Sequence, residues 1–500
     1  MMNPVRTTAT APPVVEVASG DPHDVRGDVL VVGAFTGGIE GPGVAAVLDG
    51  LGLASLPVTP EFRGDIGQHL LVAGSGLPWA TVLFVGLGRM VATDARRLRD
   101  AAAVAAASGH LRGRVVTTLA LVHPTTAAIG ALAEGFHLGR PRRASPDGGT
   151  APAHITILAP TAVSSDAERA VHRATTVAHA TIAARDLVDT PPNRQSPTVL
   201  ARQMIELTSA SCGADLHDHE ALRTAGFQGT LSAGRGAPDP PCLLELRYEP
   251  SEPLGHVVLC GRGTTFGSGG LSLRRGTAMD GGKADMAGAA AIAGACSVLA
   301  DLDVRVRVTA LLGLVESMPG GDAQRPGDVV TTRGGLTVEI TDTDADAVLI
   351  LADLLDLARA YDPDAIVDVT TVGPATAAAL GDDAGAVMGS DARLVEDVLA
   401  AARDAGEPLW QLPLWDHLEP RLHSPVADIV NRTTAVGGEA VLAGLALRRV
   451  VRDTPWAHID CGSAAFVTPT AATGGRRVGA TGYGTRTLLE WLEHGTVQAG

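Results

Sequence analysis

The residues with the clearest chemical potential lie in and after a glycine-rich stretch at residues 260–290. Asp285 lies near the end of this stretch, and Asp344 and Asp346 follow in a second acidic segment. Carboxylates are the ligands that hard divalent cations prefer, so three of them in one site could hold metal ions. Without further context, such residues are typical of solvated loop acids. The motifs around them decide between these two interpretations.

Several motifs frame these aspartates in a fixed order. The glycine-rich stretch keeps Thr265, Phe266 and Ser268 among its glycines, and it ends in a small-residue segment. Other segments are DLVDTPP at 186–192, MPGGDAQRPGD at 318–328, VEITDTDAD at 338–346 and WAHID at 456–460. Together they resemble the leucyl aminopeptidase (cytosol aminopeptidase) family of metallopeptidases over nearly the whole chain, most strongly from residue 183 onward.

The resemblance implies a site for two divalent metals, but the sequence departs from the family at its centre. Arg262 stands at the position of a metal-binding Lys, Gly267 at the metal-bridging Asp, Arg274 at the catalytic Lys and Val348 at the bicarbonate-binding Arg. The resemblance leaves Asp285, Asp344 and Asp346 as residual ligands. A guanidinium has no lone pair to offer a metal, and a glycine has no side chain. We therefore expect no cofactor, or at most one weakly bound zinc or manganese ion.

Two further expectations concern the shape and charge of the site. The resemblance places the substrate cleft at Thr371, Val372, Gly373 and Pro374, where the family has a T-L-T-G loop. Pro374 adds bulk there and lacks an N–H group. Because clustered acids repel one another, we expect Arg262 or Arg274, with Lys283 as a further candidate, to neutralise the three aspartates through charge-assisted hydrogen bonds.

These substitutions leave three functions open. The chain could be a non-catalytic homologue that has lost two-metal peptidase activity and binds an amino-acid- or peptide-like ligand or acts through assembly. It could be a repurposed biosynthetic enzyme that carries out acyl transfer or cyclisation. It could also be a weak one-metal aminopeptidase. The first is our main hypothesis, because the substitutions converge on the metal centre while its frame is preserved.

Composition limits the partners. The formal net charge of −16 disfavours nucleic acid and anionic membranes. The five cysteines are scattered without C-x-x-C spacing, which indicates reduced thiols and a cytoplasmic location. No apolar run is long enough for a membrane span. The family resemblance implies a homo-oligomer, in most members a hexamer.

Alternating short β-branched runs and helical patterns predict an α/β protein with two domains. The resemblance implies an N-terminal macro-domain-like domain and a C-terminal leucyl-aminopeptidase-like domain with a mostly parallel sheet. We predict a disordered lead at 1–12, an N-terminal domain at 13–163, a connecting helix at 164–189 and a C-terminal domain at 190–500. Within the last, we expect residues 256–260 to form a strand paired with 243–248, and residues 229–236 to form a loop.

Overall fold

A computed structural model describes residues 12–140, 152, 154–160, 164–433, 437–468 and 477–495. The predicted lead at 1–12 lies almost entirely outside these ranges. The chain divides into two compact units, and the division falls between His179 and Ala180. This point lies inside the long helix Ser164–Asp189, and the predicted domain limits at 163 and 189 stay predictions. No helix in the described ranges is both long and apolar enough to cross a membrane.

The first unit has a mostly parallel sheet. Its elements are β1 (Val14–Ala18), β2 (Val29–Phe35), β3 (Ile39–Glu40), α1 (Val44–Leu51), β4 (His69–Ala73), β5 (Thr81–Gly88), α2 (Ala95–Ala107), β6 (Arg114–Thr117), α3 (Thr126–Leu138), β7 (His154–Leu158) and the start of α4 (Ser164–Asp189). The described strands have the order β1-β7-β6-β2-β5-β4, and β3 pairs with β2. Apolar side chains form a buried cluster on each face of the sheet, so both faces are covered.

The second unit contains the remaining elements. They are α5 (Pro197–Thr208), β8 (Gly213–His217), α6 (His219–Thr224), α7 (Gln228–Ala233), β9 (Cys242–Tyr248), β10 (His256–Gly267), α8 (Thr277–Asp280), α9 (Ala287–Cys296), β11 (Arg307–Ser317), β12 (Val329–Thr331), β13 (Thr337–Glu339), α10 (Ala347–Arg359), β14 (Ala365–Thr370), α11 (Ala375–Leu380), β15 (Gly385–Gly389), α12 (Ala392–Ala405), β16 (Leu409–Gln411), β17 (Ile429–Val430), α13 (Glu439–Val451), β18 (Trp456–Asp460), β19 (Phe466–Val467), β20 (Gly479–Ala480) and α14 (Thr485–His494).

A large mixed sheet organises this second unit. In the described residues its strand order is β16-β15-β18-β14-β10-β11-β9-β8. The central strands β18, β14, β10 and β11 are parallel to one another, so their carboxyl ends meet at one edge. In open α/β sheets such an edge is the usual position of a ligand site. Helices α10 and α13 supply many of the side chains in the apolar cluster that buries Val258 and Ile366 of the central strands.

The structure confirms the predicted α/β class with two domains and mostly parallel sheets, and it corrects three local predictions. β10 does not end at Cys260 but continues to Gly267. The glycine-rich sequence predicts a turn after Cys260, but in the structure these glycines lie in the strand and allow α9 to pack closely on it. A Cβ on Gly261 would lie 2.8 Å from the Cα of Ala289 in α9. β9 pairs with β11 and not with β10. The predicted loop at 229–236 contains α7, which packs tightly on α10 through Gly229.

Candidate functional site

The expected site residues converge on the carboxyl ends of β10 and β14. Arg262 lies within β10, and Arg274 lies in the loop after it. Asp285 lies in the short 3₁₀ turn before α9, while Asp344 and Asp346 directly precede α10. The structure therefore brings together side chains that are up to 84 residues apart in the sequence.

Arg262 joins two of the three aspartates. Its Nη2 donates to Asp285 Oδ2 at 3.0 Å and to Asp346 Oδ1 at 2.6 Å. Its Nη1 donates to the carbonyl oxygen of Thr371 at 2.8 Å. The Arg262 side chain is only 2% exposed and that of Asp346 only 1%, so this is a buried ion pair with several charge-assisted hydrogen bonds.

Arg274 joins the third aspartate to the same cluster. Its Nε donates to Asp344 Oδ1 at 2.8 Å and its Nη2 to Asp285 Oδ2 at 2.7 Å. The loops that carry these groups are also tied together, because Ser272 N donates to Thr343 Oγ1 and Thr343 N donates to Ser272 Oγ. Asp285 Oδ2 thus accepts from both arginines, and each arginine links it to one further aspartate. Lys283, the third candidate, pairs with Asp189.

Burial and charge act against each other on the ionisation of these groups. Burial raises the pKa of Asp346 to about 6, although Arg262 opposes the shift. Burial also raises the pKa of Asp344, against the effect of Arg274. Burial by itself lowers the pKa of Arg262, but Asp285 and Asp346 outweigh it and raise the pKa above its ordinary value. Both arginines therefore stay charged at any physiological pH.

The residues present do not fit a two-metal centre. Each guanidinium lies between two aspartates, in the space that a shared cation would need. A residue with a side chain could not replace Gly267 without moving Asp285, because a Cβ at this position would lie 2.1 Å from Asp285 Oδ2. The present arrangement therefore has no room for a bridging carboxylate at 267. Among the described residues, one carboxylate oxygen from each of the three aspartates cannot be chosen so that all three lie within 4.8 Å of one another. The aspartates are therefore too far apart to hold one ion together. The arrangement is an ion-pair network in place of a metal site.

A cavity of about 560 Å³ opens beside this network. Arg274, Asp285 and Asp344 contribute its charged base. All four residues of the expected cleft, Thr371 to Pro374, lie along its wall. The rest of the wall combines charged residues, Asp382, Arg432 and Glu439, with apolar ones that include Ala347, Val348, Leu422, Leu442, Ala443 and Phe466. Val348, at the position of the family's bicarbonate-binding Arg, lies in the first turn of α10 and is buried.

Two residues that shape this cavity were not identified as site residues from the sequence. Asp460 is fully buried and accepts from Val372 N at 3.1 Å and Gly462 N at 3.0 Å. It therefore holds the cleft loop from the end of β18. Asn431 Nδ2 donates to the carbonyl oxygens of Asp342 and Ala345, on either side of Asp344. The position of Asp460 at the carboxyl end of a central strand was a usable signal, whereas nothing local pointed to Asn431.

Comparison with known proteins shows similarity to the cytosol aminopeptidase family along most of the chain. The catalytic domain of the cytosol aminopeptidase family matches residues 182–489, and the N-terminal domain of that family matches residues 31–141. A probable cytosol aminopeptidase of Roseiflexus castenholzii is 35% identical over 500 residues, covering 96% of this chain and 99% of the relative. A probable cytosol aminopeptidase of Micrococcus luteus is 36% identical, with 94% and 96% covered.

Solved structures give the same result for the fold. The bottromycin maturation enzyme BotP superposes with a TM-score of 0.80 at 34% identity, and the match covers 95% of this chain and all of that chain. A structure of BotP in complex with Mn superposes equally well, with 94% and 99% covered. Because both family domains match and relatives align along nearly their whole length, the chain belongs to the cytosol aminopeptidase family.

Proposed function

We propose that this family member has lost two-metal peptidase chemistry and uses its cavity to bind an amino-acid- or peptide-like ligand. The observation that carries the proposal is the Arg262 guanidinium, which is buried between Asp285 and Asp346. A permanently protonated group there cannot ligate a metal and repels one. The five cysteines are free and buried, which supports the cytoplasmic location that we also propose.

A retained cavity supports binding over a purely structural role. Its volume of about 560 Å³ is in the range of small-molecule sites, and it combines an apolar wall with a few polar groups at its base. The cleft loop is held in place by the buried carboxylate of Asp460. A family member that acted only through assembly would not require an open cavity of this kind.

The test is hydrolysis of leucine amide and leucyl p-nitroanilide by the purified chain, with zinc, manganese or cobalt added. We expect no turnover, while an active family member assayed in parallel hydrolyses both compounds. Asp344→Asn serves as the matched variant. Metal-dependent turnover that this variant abolishes would refute the loss of peptidase chemistry. Weak turnover together with one bound metal ion per chain in metal analysis would identify a one-metal aminopeptidase instead.

The similarity to BotP favours a second candidate, a repurposed biosynthetic enzyme. The name of that relative describes a maturation enzyme, and it matches this chain over nearly its full length. For this candidate we propose acyl transfer or cyclisation as the reaction in the remodelled cavity. Neighbouring biosynthetic genes would favour this candidate, and so would conversion of a peptide precursor by the purified chain in the absence of added metal.

A further inference from the structure

Two of the five cysteines lie side by side in the second unit. Cys212 is in the connection between α5 and β8, and Cys296 is the last residue of α9. Cys212 Sγ donates to the carbonyl oxygen of Cys296 at 3.4 Å. Neither cysteine lines the cavity. Because α9 begins two residues after Asp285, the pair lies at the end of this helix that is remote from the ion-pair network.

The two thiols also contact each other directly. A hydrogen bond with the Cys212 thiol, together with burial, raises the pKa of the Cys296 thiol well above its ordinary value. The neighbouring residues are tied together as well, because Ser211 Oγ donates to the carbonyl oxygen of Ser297 at 3.0 Å and accepts from Ala300 N at 3.4 Å. This anchoring holds the chain at 211–212 against the end of α9 and keeps the two sulfurs close enough for a bond between them.

Access from solvent differs between the two members of the pair. Cys212 is 9% exposed and its neighbours in the chain are exposed or half-buried, whereas Cys296 is 1% exposed, so a small oxidant meets Cys212 first. Within the described ranges the other three cysteines have no thiol neighbour. Burial and nearby carboxylates raise the pKa of Cys242, Cys260 and Cys461. An intramolecular disulfide is therefore favoured at one pair alone among the described cysteines.

From this geometry we infer that Cys212 and Cys296 form a modification site, a dithiol that a small peroxide converts reversibly to a disulfide. The Cys212 thiolate attacks hydrogen peroxide, the O–O bond breaks, and a sulfenic acid and hydroxide form. The Cys296 thiolate then attacks the Cys212 sulfur, so that the S–S bond forms, the S–O bond breaks and hydroxide leaves. The two thiol protons convert both hydroxides to water, and the two thiols lose two electrons to one peroxide. Exchange with a small thiol restores the dithiol.

The disulfide would close a loop of the chain that carries part of the ion-pair network. Cys212 and Cys296 are 84 residues apart, and Arg262, Arg274 and Asp285 lie between them in the sequence. A disulfide stabilises a protein mainly by restricting the unfolded chain, and a long loop restricts it most. We expect the oxidised protein to melt about 4–8 °C higher than the reduced one, as is typical of a native disulfide in a domain of this size. Since the pair does not touch the cavity, this effect is separate from the proposed ligand binding.

Peptide mapping of the full-length protein after treatment with hydrogen peroxide tests the inference. The two cysteines fall in separate tryptic peptides, residues 203–223 and 284–305, and each peptide has one cysteine. We expect a disulfide-linked pair of these peptides and a loss of two of the five thiols that react in the unfolded protein. Dithiothreitol should reverse both changes. The linked peptide should form faster as the pH rises, because the raised pKa of Cys296 leaves little thiolate near neutral pH.

Three single variants identify the bond. Cys212→Ala and Cys296→Ala should each abolish the linked peptide and the rise in melting temperature, whereas Cys242→Ala, the matched control at another buried thiol, should retain both. Five reactive thiols after treatment, oxidation of Cys212 without a linked peptide, or a bond to a different cysteine would overturn the inference. An oxidised protein that melts no higher than the reduced one would also overturn it, because the bond would then not fit the folded chain. If an alanine variant does not fold, the peptide map of the parent protein decides alone.

Discussion

Removal of the Arg262 guanidinium should destabilise the second unit strongly. In Arg262→Ala, Asp285 and Asp346 would lose the donor that contacts them at 3.0 and 2.6 Å, and both are nearly inaccessible to water. Breaking a buried ion pair by removing one partner costs about 3–5 kcal/mol. At about 2 °C per kcal/mol for a domain of this size, the melting temperature should fall by about 6–10 °C.

The assay is thermal unfolding at pH 7.5, with two comparison variants. Arg262→Met removes the charge but keeps an unbranched stem, so its difference from Arg262→Ala measures lost packing. Arg307→Ala breaks the pair with Glu249, whose side chains are 43% and 58% exposed. Exposed pairs contribute about 0–1 kcal/mol, so this control should melt within about 2 °C of the parent.

The pH dependence supplies a second readout. Burial already raises the pKa of Asp346 to about 6 with Arg262 present, and the pKa should rise further without it. The folded variant then binds a proton that the unfolded chain lacks above about pH 4. Acidification therefore favours the folded form, and the deficit of Arg262→Ala should be smaller at pH 5.5 than at pH 7.5. A deficit no larger than that of Arg307→Ala, or one that grows on acidification, would refute the buried ion-pair network.

Two further outcomes follow from the structure and the family. Gly267→Ala should lower stability by about 1–3 kcal/mol in thermal unfolding, because the added Cβ would lie 2.1 Å from Asp285 Oδ2; Gly321→Ala, where nothing lies within 4 Å, is the control and should be nearly silent. Light scattering should give a hexamer of roughly 300 kDa, built by closed symmetry from chains of 50.9 kDa, and a monomer at micromolar concentration would contradict this.

Local patterns were sufficient for several elements of the fold. Among the short β-branched runs that predict strands, residues 69–73 and 154–158 form β4 and β7 with these same limits. Each is a short run rich in β-branched or other large apolar residues between turn-forming segments, so tertiary context had little to override. The acidic and basic site residues could also be identified, because the motifs that carry them resemble those of the family.

Sequence signals are weaker wherever packing between distant segments sets the structure. The glycines of β10 resemble a turn until the close approach of Ala289 in α9 is known. The choice of β11 as the partner of β9 depends on the order of strands in the sheet, which no local pattern encodes. The sequence indicated that arginines would neutralise the aspartates. It did not indicate that Asp285 would accept hydrogen bonds from both Arg262 and Arg274, because that depends on how distant loops pack together.

The contacts made at positions 262, 267 and 274 depend on one another. Asp285 Oδ2 occupies the space beside Gly267 and accepts from both guanidiniums. A carboxylate at 267 would therefore clash with Asp285 unless that side chain moved, and Asp285 could move only by giving up two charge-assisted hydrogen bonds. Removing the Arg262 guanidinium alone would leave Asp346 without its guanidinium partner, while Asp285 would keep Arg274, and position 267 would still supply no bridging ligand for a metal. If two-metal chemistry has been lost as we propose, its recovery should therefore require coordinated change at 262, 267, 274 and 348 in one variant, and Arg262→Lys alone should not restore peptidase activity.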